Sequence, residues 1–213
     1  RLHAGNWDDL VHPLRSRTLD FFVAETSLLT REPDLDVVAL PVRHPIYFVA
    51  RAGHPLARKA GDVRAADVGE WPFAAPSRIP PRVLDPLLAA HREGAARTGV
   101  TRPFPAIECN GIEPVKRVVA TSDTVTAMIL PCIAEELEQG TLQLLATEPW
   151  MFLHYGIISL RGRPWTQLAE TMRDLVLEAE QAATELGQRL LERHGRQRRR
   201  PPSRPARPRG RRR

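Results

Sequence analysis

Residues 105–131, PAIECNGIEPVKRVVATSDTVTAMILP, read as strand, helix, tight turn and buried strand. Residues 105–109 are a short extended run, and Asn110-Gly111-Ile112-Glu113 supplies a helix start with an Asn three residues before a Glu, as in a capping box. Pro114 would remove a helical backbone bond if Asn110 is the cap and none if Gly111 is, so the exact cap stays open between the two. Ile112, Val115, Val118 and Val119 recur at helical spacing, Ser122-Asp123 makes the turn, and the β-branched apolar run 124–130 is stopped by Pro131. A helix whose amino end faces out of a sheet presents unpaired N–H groups, which makes this end a place to look for a small anionic ligand.

Upstream, Asn6 reads as the cap of a helix with Trp7, Leu10, Val11 and Leu14 on one face. Residues 19–24, LDFFVA, form a continuous apolar strand suited to the interior of a parallel sheet. Glu25-Thr26-Ser27 follows at its carboxyl end, where open α/β sheets bind ligands. Residues 35–40 and 46–50 are two more strands, and the segment 41–45 between two prolines reads as a crossing from one lobe to another. A short strand at 71–75 leads into a loop holding Ser77 and Arg78, and a helix follows over 82–97, ended by Gly99. Downstream come a short helix to Glu138 stopped by Gly140, strands at 142–145 and 152–160, and a second possible crossing at 161–164. The last helix begins near Trp165 and shows Leu168, Met172, Leu175, Val176 and Ala179 at helical spacing. It continues to Leu191, weakened at Gly187. Strands alternating with helices predict an α/β architecture, and two crossings predict two lobes.

The 213 residues suffice for a sizeable core, with 42% hydrophobic residues, and the formal charge of +6 invites a nucleic-acid reading. The distribution of that charge argues otherwise. Ten of the 31 Lys and Arg lie in residues 196–213, RQRRRPPSRPARPRGRRR, which leaves 21 against 25 Asp and Glu before it, a net charge of −4. The body is mildly acidic. The Arg/Pro tail, residues 194–213 at its widest, has the composition of a disordered segment that either clings to nucleic acid or anionic membrane without sequence preference or is a plain solvated appendage. Cys109 and Cys132 make neither a disulfide framework nor a metal knuckle, so buried thiols in a reducing cytoplasm are expected. No run spans a bilayer, and the chain starts at Arg1 without Met, as a fragment would.

The seven histidines show no metal spacing, and no GxSxG, GxGxxG or P-loop is present. Neither an enzyme nor a metal or cofactor site is expected. Glu25, Thr26, Ser77, Asn110 and Thr126 all fall at strand ends or in loops after strands. They read equally as the polar lining of a ligand cleft and as ordinary caps and turns.

The succession LDFFVAE at 19–25, FVARAGHPLA at 48–57, WPFAAP at 71–76, residues 105–131, ELEQGTLQLL at 136–145 and ISLRGRPWTQLAETMRDLV at 158–176 resembles the effector-binding domain of LysR-type transcriptional regulators. The resemblance covers residues 1–180 and implies an α/β fold like the type 2 periplasmic binding proteins. It implies subdomain I over 1–43 and 163–193, subdomain II over 44–162, and a cleft between them for a small-molecule effector; Arg78 and the helix start near Asn110 favour an acid over an amine, so a carboxylate or sugar derivative is the expectation. Carried over by position, Glu25, Thr26, Ser77, Arg78, Asn110, Gly111, Ile112 and Thr126 line that cleft. Glu25 would repel an acid unless another group intervenes. Self-association as a dimer or tetramer would use Trp7, Leu10, Leu14, Val115 and Val119, which serve equally to cover their own sheets. Relative to that family the winged helix-turn-helix and the first strand and helix of subdomain I are missing, so promoter DNA would be met only through a separate N-terminal domain. A periplasmic solute-binding protein of the same fold is the alternative.

Overall fold

One strand, β2 (Leu35–Arg51), runs through both halves of the fold. The computed structural model of the chain describes residues 2–5, 7–29, 32–59, 62–76, 79–109 and 111–197. Asn6, Ser77, Arg78, Asn110 and the tail from residue 198 lie outside them. In its first half β2 pairs antiparallel with β7 (Phe152–Leu160), from Leu35 opposite Leu160 to Ala39 opposite Gly156. The register slips between Ala39 and Arg43 and resumes at Arg43 opposite His154. Pro41 sits in that slip, where a residue lacking an N–H is tolerated. Of the two prolines that predict a break between strands, Pro41 marks this irregularity and Pro45 pairs in register with Phe152, both inside one continuous strand. In its second half β2 leaves β7 and pairs with β5 (Thr126–Ile129) and β6 (Leu142–Ala146).

The return passage is made by the start of β7, residues 152–154, opposite 45–43 of β2. Residues 161–164 instead form a turn in which Gly162 takes φ +71°. The apolar run at 19–24 predicts a parallel interior strand; β1 (Phe21–Glu25) pairs antiparallel with β7, and Val23 is 38% exposed. Here the continuous apolar run reports neither strand direction nor burial on both faces.

Parallel pairing does occur between β3 (Ala74–Pro76) and β4 (Ile107–Cys109), and a bridge from Phe73 to Val125 carries the same layer toward β5. The strand–helix–strand reading of 105–131 is thus realised by β4, α4 (Ile112–Thr121) and β5. Gly111 is the N-cap of α4 at φ +117°, a conformation open to glycine at little cost, and Pro114 falls within the first turn where no bond is lost.

Three apolar clusters fill the molecule. α1 (Trp7–Arg15) covers β1 and β7 through Val11, Leu14, Phe22, Leu35 and Ile158. One face of the β2–β5–β6 layer packs on α2 (Ala65–Val68) and α3 (Pro81–Thr98) through Phe48, Phe73, Val83, Leu87 and Val125. The other face packs on α4 and α5 (Ala134–Gln139) through Val49, Val115, Val119, Ile133 and Leu137. Each fully buried side chain of this kind contributes about 1.5–3 kcal/mol of transfer free energy. α6 (Gln167–Gln197) is 31 residues long and continues unbroken through Gly187, because Leu186 and Leu190 join that third cluster and hold its carboxyl half down.

Candidate functional site

β1 ends at Glu25, and the chain turns at once into a 3-10 turn, Thr26–Leu28, that the Glu25 carboxylate caps. Its Oε2 accepts from the Ser27 amide at 3.0 Å and from the Ser27 hydroxyl. Its Oε1 accepts from Arg82 Nη2 at 2.8 Å. Glu25 is only 8% exposed, so both oxygens of a buried carboxylate are satisfied, one by its own turn and one by a cation from a different part of the fold.

Arg82 is the second residue of α3, directly after Pro80-Pro81. A cation in the first turn of a helix opposes the helix dipole and calls for a partner elsewhere. Arg82 finds two: Glu25, and the face of Phe152, with its guanidinium carbon 4.2 Å from the ring centroid. Arg43 also stacks on Phe152, at 4.9 Å, and makes no ion pair among the described residues. The ends of β1, β7 and α3 and the crossing part of β2 thus meet at two guanidiniums and one carboxylate around one aromatic ring. Arg82 Nη1 is buried with no hydrogen-bond partner among the described residues, a donor left over after Glu25 has been served.

Of the residues expected at a cleft, Glu25 and Thr26 are here. Thr26 spends its hydroxyl proton on the His154 carbonyl at 3.0 Å and rests its methyl on Gly156, where any Cβ would collide with it. Thr126 is fully buried in β5, its hydroxyl without a partner among the described residues. Gly111 and Ile112 begin α4, Ile112 being 38% exposed, and no hydrogen bond or ion pair among the described residues joins them or Thr126 to the Glu25 cluster. Ser77, Arg78 and Asn110 lie outside the described residues. Sequence reading missed Arg82, Arg43 and Phe152. The signal for Arg82 was present, as a cation placed against the helix dipole directly after two prolines.

Among the residues expected at a self-association surface, Leu14, Val115 and Val119 are fully buried in the chain's own clusters. Trp7 and Leu10 pack only partly against theirs and keep exposed surface. Cys109 and Cys132 are free thiols, and burial pushes the Cys132 thiol up, away from the reactive thiolate. Among the described residues no group of three His, Cys, Asp or Glu could hold a metal ion, and no helix is long and apolar enough to cross a membrane.

Residues 1–181 match the LysR substrate binding domain family. The chain belongs to that family. A LysR substrate-binding domain is what the motif order at 19–25, 48–57 and 71–76 resembles, and its two-lobed α/β architecture is the one seen here. The chain is 32% identical over 182 residues to the SDS degradation transcriptional activation protein of Pseudomonas sp. (strain ATCC 19151), covering 84% of this chain and 56% of that relative. The domain therefore spans little more than half the length of that relative. Among solved structures it resembles the regulatory domain of Synechocystis PCC6803 CcmR in complex with 2-PG (TM-score 0.62, 17% identity, covering 84% of this chain and 82% of that one). The regulatory domain of HypT from Salmonella typhimurium in its apo form is similar at TM-score 0.61 and 18% identity, over 86% of this chain and 82% of that one. The effector binding domain of QuiR in complex with shikimate is similar at TM-score 0.59 and 17% identity, over 82% and 78%. At these identities the likeness establishes the fold. The LysR substrate-binding domain family favours a regulatory reading over a periplasmic carrier of the same fold.

Proposed function

We propose that this LysR substrate-binding domain senses a small organic acid in the cleft where Glu25 meets Arg82, and that the full-length protein uses this to control transcription in the cytoplasm. The observation that carries the reading is the Arg82 guanidinium, held between Glu25 and Phe152 with one buried N–H unserved among the described residues. Arg82 answers the objection that Glu25 would repel an acid, because the carboxylate is already neutralised and Arg43 leaves the cluster with one positive charge in excess. Planar bidentate donors suit a carboxylate better than a sugar hydroxyl. The similar QuiR domain holds shikimate, a carboxylate, which points the same way.

Residues 1–43 with 155–193, and 44–154, are proposed as the two subdomains, the second boundary lying where β7 joins β1, with Glu25 on one and Arg82 on the other, so an effector that engages Arg82 acts on their relative arrangement. Ser77, Arg78, Asn110, Gly111 and Ile112 are proposed to complete the wall contributed by 44–154, with Thr126 behind it. Self-association is proposed through α1, where Trp7 and Leu10 keep exposed surface, packing on the α4 region of a second copy. Promoter DNA would be met through a separate part of the full-length protein. The reading is one of binding, with no catalytic step assigned.

A thermal-shift screen of the chain against small carboxylates, sugars and amines tests it. Stabilisation by carboxylates is expected. Stabilisation by amines alone would overturn the acid reading, and none by any class would overturn effector binding by this chain.

A further inference from the structure

α6 borders a second space, partly open to solvent, that the cleft does not use. Between its carboxyl half, the crossing part of β2 and the 3-10 turn Leu130–Ile133 lies a cavity of about 220 Å³. Val42, Pro45, Leu130, Pro131, Ala183 and Gly187 give it an apolar lining. We infer that this cavity is a second ligand site, taking a small, largely apolar molecule against the segment of β2 that joins the two halves of the fold.

Gly187 is the first support. Glycine is among the least favourable residues inside a helix, so its presence in α6 needs a reason. Close packing supplies that reason elsewhere: a Cβ on Gly69 would collide with the Ala90 carbonyl, and one on Gly94 with the backbone of Gly69. At Gly187 no such reason exists, because the nearest atom to a Cβ there is Pro131 Cδ at 4.0 Å. The missing side chain leaves this wall of the cavity open.

The lining sets the ligand class. His44 faces α6 and its Nε2 is already paired with Glu180 Oε1 at 2.7 Å, both side chains being nearly buried. The Thr184 hydroxyl donates to the Glu180 carbonyl at 2.9 Å. Tyr47, Gln188 and the Arg43 guanidinium, which lies over the Phe152 ring and keeps its charge, also border the space, but apolar side chains predominate in the lining, which suits a ligand whose main part is apolar. Its volume exceeds the roughly 150 Å³ of a dry cavity that takes benzene and falls short of the roughly 300 Å³ at which drug-sized pockets begin. A single ring with few substituents fits. The wall is held in place from behind, where Leu186 and Leu190 pack into the cluster around Val115, Val119 and Ile133. That wall, residues 183–191, lies beyond the 1–181 stretch matched to the family, while the facing residues 42–47 and 129–131 lie within it.

Titrating the full 213-residue chain with fluorobenzene, followed by ¹⁹F NMR line broadening, tests the site. Saturable binding is expected for the wild type, for Gly187→Ala and for the cleft variant Arg82→Gln, with at least tenfold weaker binding for Gly187→Leu and Ala183→Leu. Circular dichroism checks that each variant is folded, and Ala183→Leu decides the matter if Gly187→Leu is not. Absence of saturable binding to the wild type, equal binding by the folded filled variants, or loss of binding in Arg82→Gln would each overturn the inference. The last result would place the probe in the cleft and leave the effector reading untouched.

Discussion

Glu25 does two jobs with one carboxylate, capping its own turn and holding Arg82, and the second can be removed without the first. Arg82→Gln keeps a long polar side chain and deletes the charge, leaving Glu25 8% exposed and short of a cation. Urea unfolding should show a loss of about 1.5–3 kcal/mol, the range for a hydrogen bond to a charged group; a change within error would mean that the pair is solvent-screened. Asp34 offers a cleaner electrostatic test. The side-chain hydrogen bond from Arg15 holds its carboxyl down from 3.8 to about 2. A folded value below the unfolded one means that its contribution to stability is complete above about pH 4 and is lost as pH falls toward 2. NMR titration of the Asp34 carboxyl carbon should give that midpoint, and Arg15→Gln should return it toward the ordinary carboxylate range. His54 titrates on the same principle at higher pH. Burial of this fully buried ring lowers its pKa from 6.5, against the pull of the Asp123 carbonyl that its Nε2 meets at 3.2 Å, while Nδ1 accepts from the Leu56 amide. The stability gained this way is present above pH 6.5 and is lost as pH falls below it and through the lowered folded value. The His54 ring should therefore be less than half protonated at pH 6.5, and a half-titrated ring there would contradict this.

Elements show what a one-dimensional pattern carries and what it does not. Helical periodicity placed α1, α3, α4 and α6 within a few residues, and Gly99 and Gly140 stop their helices in left-handed conformations as their type suggests. The run 105–131 was legible because each of its pieces is local: a strand, a cap, an apolar face and a turn. β2 was not, since a proline signals a broken ladder without saying whether the partner slips to accommodate it. Strand direction at β1 was equally hidden, being set by β7, which is more than 125 residues away in sequence. The cleft was half legible for the same reason. Glu25 and Thr26 could be named from their place after a strand, whereas the Arg82 and Phe152 contacts exist only once three distant segments meet. α6 carries a prediction of its own at this scale. Leu190, 2% exposed, anchors the extension to the cluster under α4, while Leu175 is 50% exposed. Leu190→Ala should cost about 2–5 kcal/mol and Leu175→Ala within about 0.5 kcal/mol, as read by chemical denaturation. Equal, small effects would mean that the carboxyl half of α6 is not docked.

For the whole molecule, the two halves of the fold are joined by the continuous β2, by the β7 strand beside it and by α6, whose start packs with Ala169 near β1 and β7 and whose end packs with Leu190 near α4. The His44–Glu180 pair fastens α6 to β2 between those ends. With three connections in place, the Glu25–Arg82 pair is positioned to report a small change between the halves, and an acid that competes for Arg82 biases their arrangement only by its differential affinity. Isothermal titration of the best carboxylate from the thermal-shift screen into the wild type and into Arg82→Gln tests this most directly. Losing one charged hydrogen-bonding partner should weaken binding about 10- to 100-fold. Undiminished affinity in a folded Arg82→Gln variant would contradict an acid-sensing cleft at Glu25 and Arg82.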